Sequence, residues 1–545
     1  MSLDIRPDHL QMVRTILQKH VPQYEVWAFG SRAKWTVKDY SDLDLCVVSD
    51  KPLSVSILGA MAEDFSDSDL PWKVDVVDWA TTSESFRKII EMDKVVVQKA
   101  GQTLSGVNEW PEVKLRDVFE INPRREIKPG TVTPFVPMDA LPEHSREISR
   151  IDRREYTGSG TRFKNGDTLF ARITPCLENG KTAYVSGLEN NVVAHGSTEY
   201  IVIAEKKNVS NSLFAYYLAR SPEFRAFAIG HMEGTSGRQR VPTDAVATFQ
   251  FRLPPLSEQK AIAHILGTLD DKIELNRRMN ATLEATARAL FQSWFVDFDP
   301  VRAKLDGRQP IGLDAATAAL FPAHFQESSL GHIPQGWEVK SLSEITMVIT
   351  KGTTPSQDDM ASVPDTDIRV NYVRVNAIQE DGTIISDKLT KIPLSVHARA
   401  LKRSILRAND VLYTIAGTIG RIATAEDWLL PANTNQAVAI IRPKLTIPAG
   451  FLSLTMRHEV FREELHNNIV QAVQANLSLG MLSKARAVVP PEDVLFKIFK
   501  PINNIVSQIS ANRAQSRTLT TLRNMLLQRL LSKELRVADN LSTSH

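Results

Sequence analysis

Three aspartates near the N-terminus have the spacing of a metal-dependent transfer site. Asp42 and Asp44 stand two apart in Ser41-Asp-Leu-Asp-Leu45, and Asp75 sits in Lys73-Val-Asp-Val-Val77. Side chains two apart on a strand face the same side. Carboxylates paired in this way can hold Mg2+, whose remaining oxygens come from phosphates. Asp75, on a neighbouring strand, would complete a two-metal site that aligns an attacking hydroxyl and stabilises a leaving pyrophosphate. Just upstream, Phe29-Gly30-Ser31-Arg32-Ala33 reads as a strand running into a turn. There Gly30 allows close backbone approach to a triphosphate, Ser31 adds a hydroxyl and Arg32 a positive charge. The acceptor stays open: a protein hydroxyl, an RNA end and a small molecule all fit.

A small α/β unit over residues 1–100 must position these groups. A helical pattern runs through Leu10, Val13, Ile16 and Leu17, strands are expected at 25–29, 44–48 and 73–77, and a helix near 83–92. Residues 101–109 have the composition of a linker. Charge also sets the unit apart. Residues 1–105 hold 12 Lys and Arg against 16 Asp and Glu, a net of −4, whereas the remainder nets +6.

Beyond the linker the chain repeats itself at an interval of 236 residues. Leu253-Pro-Pro-Leu256 and Val489-Pro-Pro-Glu492 each open a long amphipathic segment. The same offset carries Ile262 onto Ile498, Leu269 onto Ile505, Asn276 onto Asn512 and Leu290 onto Leu526. Apolar residues at steps of three and four predict a long helix over 253–298, with Ser257 as its N-cap, and a second over 491–537. Trp337-Glu-Val-Lys-Ser-Leu-Ser-Glu-Ile345 echoes Trp110-Pro-Glu-Val-Lys-Leu-Arg-Asp-Val118, so a globular segment over 110–252 returns over 336–490. Residues 299–335, with Pro300, Pro310, Pro322 and Pro334, read as a connection, and 538–545 as a tail. Two apolar stripes are most simply buried against each other. One Asn in register on each, Asn276 and Asn512, would select the alignment. Paired antiparallel, the helices would hold two related but unequal globular segments apart, which suits duplex DNA read at two differing half-sites.

Bulk properties narrow the classes. The chain has 545 residues, 43% hydrophobic and 23% charged, as in globular proteins. No apolar run is long enough for a membrane span, and no signal peptide is visible, so a cytoplasmic location is expected. Cys46 and Cys176, the two cysteines, exclude a disulfide framework or a Cys-based metal site.

Several stretches carry a family resemblance. Gly166-Asp-Thr-Leu-Phe-Ala-Arg-Ile-Thr-Pro-Cys-Leu-Glu-Asn-Gly-Lys181, Gly196-Ser-Thr-Glu199, Leu253-Pro-Pro-Leu-Ser-Glu-Gln-Lys-Ala-Ile262, Leu269-Asp-Asp-Lys-Ile-Glu-Leu-Asn276 and Gly331-His-Ile-Pro-Gln-Gly-Trp-Glu338 resemble the specificity subunit of type I restriction-modification systems. The resemblance spans residues ~110–537. It implies an α+β multidomain chain with two α/β target-recognition domains, each followed by a long helix, the helices pairing as an antiparallel coiled coil. It also implies a non-catalytic role in choosing a bipartite, asymmetric site on double-stranded DNA. Partner subunits would methylate adenine with S-adenosylmethionine, or translocate and cut DNA with ATP. Residues ~8–100 resemble the minimal nucleotidyltransferase family of the polymerase-beta type. That implies catalytic and metal roles for Asp42, Asp44 and Asp75, a nucleotide turn at Gly30, Ser31 and Arg32, and use of Mg2+ and a nucleoside triphosphate. One departure is Trp35, where the family often has glycine. In the alternative reading this transferase is the main function and the rest is its targeting or docking scaffold.

Candidate DNA contacts follow from side-chain chemistry. Arg238 and Arg240 lie in the Gly-rich loop 234–240, where guanidinium groups could reach phosphates or guanine edges. In the second segment Gln474 and Asn476 offer amides suited to adenine. Arg172, Lys181 and His195 are further candidates in the first segment; Lys351, Thr353, Asn433 and Asn435 in the second. Each could equally be a surface or turn residue. His195 is read as a hydrogen-bonded structural histidine rather than a metal ligand, since no partner has ligand spacing.

Overall fold

A computed structural model describes residues 3–535 except 35–40, 69, 101–109, 236, 362, 365 and 471–476. The chain divides into two compact units. One runs from the N-terminus to Asp270 and takes in the chain from Leu522 onward; the other is Asp271–Thr521. Each long helix is therefore shared between the two.

The first unit begins with a four-stranded sheet in the order Val74–Asp78, Leu43–Val48, Glu25–Phe29, Val95–Gln98. The first two strands are parallel and the other neighbours antiparallel. Helices Pro7–His20 and Val55–Ser66 bury Val13, Leu17, Met61 and Phe65 with the strand residues Val26, Leu43 and Leu45. The second of these helices was not expected from the sequence. Ser54 caps it by accepting a hydrogen bond from the Ile57 amide at 3.3 Å.

The globular segment after the linker carries two four-stranded sheets. One has the order Thr182–Tyr184, Thr168–Ala171, Tyr200–Glu205, Phe119–Ile121; the other has Asp152–Glu155, Val132–Val136, Ala194–Gly196, Thr161–Phe163. Helices Ser212–Arg220 and Pro222–Gly230 start where their caps dictate. Asn211 accepts from the Phe214 amide and Ser221 from that of Phe224, with Pro222 pre-set in the first turn. Their apolar faces join Ile262 and Leu266 of the first long helix and Leu527 and Leu530 of the second in one core. Buried Gln259 seats the start of that first helix: its amide donates to the Pro254 and Val209 carbonyls at 3.0 and 3.2 Å.

The second unit repeats this plan. Its main sheet has the order Ile422–Thr424, Val411–Thr414, Val438–Pro443, Thr346–Lys351, the same sequence of equivalents as in the first segment. Its smaller sheet pairs Arg369–Val373 antiparallel with Thr390–Pro393 and parallel with Ala432–Thr434, as Val132–Val136 pairs with Asp152–Glu155 and Ala194–Gly196. A short antiparallel pair precedes each long helix: Glu112–Lys114 with Gln250–Arg252, and Glu338–Ser341 with Arg486–Val489.

The long helices span Leu256–Phe295 and Glu492–Leu531, 40 residues each. Ser257 falls inside the first turn rather than at the cap, because helical hydrogen bonding already begins at Leu256. In the second unit Asn276 Nδ2 donates to Gln515 Oε1 at 2.8 Å and Ser516 Oγ at 3.2 Å, and Asn512 Nδ2 donates to Asn280 Oδ1 at 2.9 Å. In the first unit Asp270 meets Arg523 at 2.6 Å. The stretch 299–335 is more than a connection. It forms helices Asp299–Leu305 and Ala315–Ala319 and a hairpin of Phe325–Ser328 with Gly331–Pro334. Pro300 sits in a helix's first turn, where its missing N–H is harmless, and Val301, Phe321 and Ile333 enter the core. Among the described residues no helix is long and apolar enough to cross a membrane.

Candidate nucleic-acid interface and nucleotide site

Strand register builds the N-terminal site. Asp44 lies opposite Phe29 on one neighbouring strand and Asp75 on the other. Gly30, next after Phe29, has φ +78°, and a Cβ there would strike the Asp44 carboxylate. Only glycine lets the turn pass so close. Burial raises the Asp44 pKa, and the charges of Asp75 and Asp42 push it the same way. Lys73 places its ammonium 2.6 Å from Asp75. Among the described residues no three His, Cys, Asp or Glu side chains close round a common point as a metal cage. Arg32 is only 6% exposed. Its guanidinium donates to the Ser41 carbonyl at 2.7 and 3.0 Å and to that of Asp4 at 3.2 Å, and lies 4.4 Å from the Trp72 ring centre. It thus braces the turn against the segment that leads into Asp42. Trp72 and Asp4, not singled out by the sequence, complete that brace. Trp35 lies outside the described residues.

In the first lobe the candidates separate by burial. His195 is 4% exposed, bonds to Thr133 Oγ1 through Nδ1 at 2.9 Å and packs against Phe135 and Tyr156. Burial lowers its pKa, favouring the neutral ring. Lys181 sends its ammonium into the Met138 carbonyl at 2.9 Å. Arg172 is half-buried, with Nη1 3.5 Å from Thr243 Oγ1. Arg238 and Arg240 are exposed. They lie on a loop closed by reciprocal backbone bonds of 2.9 Å between Glu233 and Arg240, with Gly234 and Gly237 at positive φ. Arg240 Nε also spans both oxygens of Glu199 at 2.9 and 3.0 Å, which raises its pKa. The loop is therefore anchored at Arg240 and carries Arg238 outward.

The second lobe sorts in the same way. Asn433 is fully buried: it bonds to His397 at 2.5 Å, the Leu401 carbonyl at 3.0 Å and Ser404 at 3.2 Å. Lys351 and Thr353 are exposed and flank Gly352, where a Cβ would collide with the carbonyls of Thr434 and Asn435. Thr353 donates its amide to Thr434 at 2.9 Å, and its carbonyl accepts from Tyr372 at 2.9 Å. Asn435, half-buried at this edge, has a carbonyl oxygen with no partner among the described residues. Next to them a cleft of about 460 Å3 is lined by Thr354, Tyr372, Arg374 and Lys391, none of which the sequence singled out. Arg374 and Lys391 sit on or just beyond paired strands, a signal that becomes readable only once Asn371 is known to face Lys391. Gln474 and Asn476 lie outside the described residues.

The type I restriction modification DNA specificity domain matches residues 108–285 and 334–519. The chain belongs to this family. A nucleotidyltransferase domain matches residues 10–100. The specificity subunit of the type I restriction enzyme HindI of Haemophilus influenzae is 28% identical over 433 residues, covering 71% of this chain and 90% of that protein. The probable protein adenylyltransferase MntA of the same organism is 54% identical over 103 residues, 19% of this chain and 90% of that protein. A crystal structure of the type I restriction-modification S subunit from M. genitalium is 12% identical, with a TM-score of 0.42, over 78% of this chain and 97% of that one. The specificity region and the transferase module thus share one chain. The first accounts for the repeated lobes and the second for the aspartates.

Proposed function

We propose that the chain selects DNA for a type I restriction-modification complex. The lobes over 110–252 and 336–490 each read one half of a bipartite, asymmetric site, and the helices over 253–298 and 491–537, paired antiparallel as a coiled coil, fix the spacing. The observation that carries this reading is the doubled sheet order, joined to a seam in which Asn276 reaches Ser516 and Asn512 reaches Asn280. Exposed groups at the lobe edges meet DNA: Arg238 and Arg240 with Arg172 beside them in the first lobe, and Lys351, Thr353 and Asn435 in the second, together with Gln474 and Asn476. Lys181, His195 and Asn433 hold the scaffold beneath those edges. Adenine methyltransferase subunits, using S-adenosylmethionine, and an ATP-driven restriction subunit act at the chosen site, in the cytoplasm. Methylome sequencing of cells carrying the chain with its methyltransferase partner tests this. One new methylated motif with an unread gap is expected; an ungapped motif overturns two-lobe readout.

A second activity is favoured by the 54% identity of the N-terminal module to an adenylyltransferase. The module is a nucleotidyltransferase of accessory role, with Asp42, Asp44 and Asp75 as metal-holding and catalytic groups and the Gly30-Ser31 turn, braced by Arg32, at the nucleotide. The donor set suits Mg2+, because a cation would offset both the burial and the neighbouring charges of Asp75 and Asp42 that raise the Asp44 pKa. Mg2+ would supply charge neutralisation for the triphosphate. The chain's own residues bring the turn within reach of the carboxylates and hold Asp44 beside Asp75. Labelled nucleoside triphosphate with Mg2+ should show transfer that Asp42→Ala with Asp44→Ala abolishes. Equal labelling of both proteins contradicts the assignment.

A further inference from the structure

The two long helices repeat each other at an interval of 236 residues, so every contact between them has a counterpart that can be looked up. Asn276 and Asn512 exchange under this operation. The bond from Asn512 to Asn280 maps onto the bond from Asn276 to Ser516, and both are present, at 2.9 and 3.2 Å. These two bonds are symmetric, although Asn276 also donates to Gln515, whose counterpart is Met279. The pair of Asp270 and Arg523 is not symmetric. Its counterparts are Ala287 and Val506, which lie in the apolar core of the second unit. Asp270 Oδ1 accepts from Arg523 Nη1 at 2.6 Å, with the side chains 4% and 5% exposed. Asp270 Oδ2 accepts from the Tyr217 hydroxyl at 2.7 Å.

We infer that the buried Asp270–Arg523 pair is a pairing-specificity device: it lets the first long helix close on the second and bars either from closing on its own equivalent in another copy of the chain. The inference rests on the antiparallel pairing proposed above. In a first-with-first pairing Asp270 would face Ala287; in a second-with-second pairing Arg523 would face Val506. Each arrangement strands two buried charges, and a buried charge stripped of its partner is strongly destabilising. Of the other side-chain contacts, that of Asn276 with Gln515 at 2.8 Å is also asymmetric, because the place equivalent to Gln515 is Met279, but its loss strands no charge. Asn276 can stand in for Asn512 beside Asn280. Arg277 occupies the place equivalent to Arg513, so Glu284 would find an arginine in either pairing. The pair of Glu284 and Arg513 is also more open, with 22% of each side chain exposed, which weakens it. Selectivity therefore falls chiefly on the one asymmetric pair whose charges are both buried. Tyr217, on the first lobe's helix Ser212–Arg220, bonds to the same carboxylate and ties that lobe to the mixed pairing.

Two cysteine reporters in the full chain test this. Glu284→Cys with Arg513→Cys should close within one chain if the helices pair first with second. Glu284→Cys with Arg277→Cys should link only two copies paired first with first, because seven residues along one helix span about 10 Å, beyond disulfide reach. The chains are unfolded, refolded at high concentration, oxidised and weighed without reductant. With the Asp270–Arg523 pair intact, the second reporter should give no covalent dimer above the level of the chain with only its two native cysteines. With Asp270→Val and Arg523→Ala together, which copies the apolar end, a dimer should appear while the first reporter still closes. Asp270→Leu with Arg523→Met, nearer in volume, should behave alike. Dimers equally abundant with and without the pair, or absent from both variants, overturn the inference. Failure of the first reporter in the unaltered background would instead overturn the pairing on which it rests.

Discussion

Lys181 in the first lobe and Arg421 in the second perform the same task. Each stands just ahead of the outer strand of its main sheet, Thr182–Tyr184 or Ile422–Thr424, and donates to the carbonyl of a tight turn, Met138 at 2.9 Å and Ile378 at 2.8 Å. Asp167 and Asp410 are matched as well. Each is buried at the start of the equivalent strand and accepts a backbone amide three residues earlier, Lys164 at 2.7 Å and Arg407 at 2.8 Å. Each holds an arginine by both carboxylate oxygens, yet Arg125 and Arg442 come from unrelated places in their lobes. The lobe edges, by contrast, do not match. One presents a Gly-rich loop with two arginines; the other brings Gly352 against Thr434 and Asn435 and flanks it with Lys351 and Thr353. Polar residues repeated between the lobes are scaffold, and unrepeated exposed ones are where different half-sites would be read.

The largest effects should come from the matched carboxylates. Asp410→Ala and Asp167→Ala each remove a buried carboxylate and strip a half-buried arginine of its partner, and each should lower stability by about 3 kcal/mol. Denaturant midpoints measure this; a loss under about 1 kcal/mol at one site only would break the equivalence of the lobes. Next comes Gly352→Ala, where the added methyl must displace backbone carbonyls, at about 1–3 kcal/mol. It should blur only the second half of the methylated motif. Smaller again are Arg238→Ala and Lys351→Ala. If each touches a phosphate, each should reduce the slope of log Kd against log salt by about 1 without changing sequence preference. A changed preference at one base would instead assign that residue to base readout in its own lobe. The N-terminal module is the control, since its variants should leave both half-sites alone. Asp44 has a raised pKa, so its contribution to stability is present below the unfolded value of about 3.9 and is lost as pH rises through the folded value. Asp44→Asn should therefore raise the metal-free unfolding midpoint at pH 7, and the gain should disappear below about pH 4. A gain that persists in acid would remove the cost of ionising the buried Asp44 carboxylate beside Asp75 and Asp42 as its cause.

How much of this could be read from the chain depended on range. The two 40-residue helices were legible because apolar steps of three and four, sustained over so many turns, fit a helix and no strand. The neighbouring strands of Asp44 and Asp75 were legible from their alternating pattern, and the two residues are register partners, whereas Asp42 falls just ahead of the strand Leu43–Val48. Candidate contacts fared differently. Lys181, His195 and Asn433 look the same in sequence as exposed polar residues, and only tertiary packing sends them inward. Arg421 was missed because the lobes differ in loop length: the preceding equivalent strands Thr168–Ala171 and Val411–Thr414 already begin 243 residues apart, so an offset of 236 does not carry Lys181 onto Arg421. The elements within 299–335 were hidden by prolines that break helices in general but are tolerated in a first turn.

That two separable lobes each read their own half of one site is open to a direct exchange experiment. Residues 110–252 are replaced by the corresponding segment of a relative with a different first half-site, and the methylome of cells carrying the hybrid is sequenced. One half of the motif should change, with the gap and the other half kept. Both halves changing together, or the gap closing, would contradict separate readout by the two lobes.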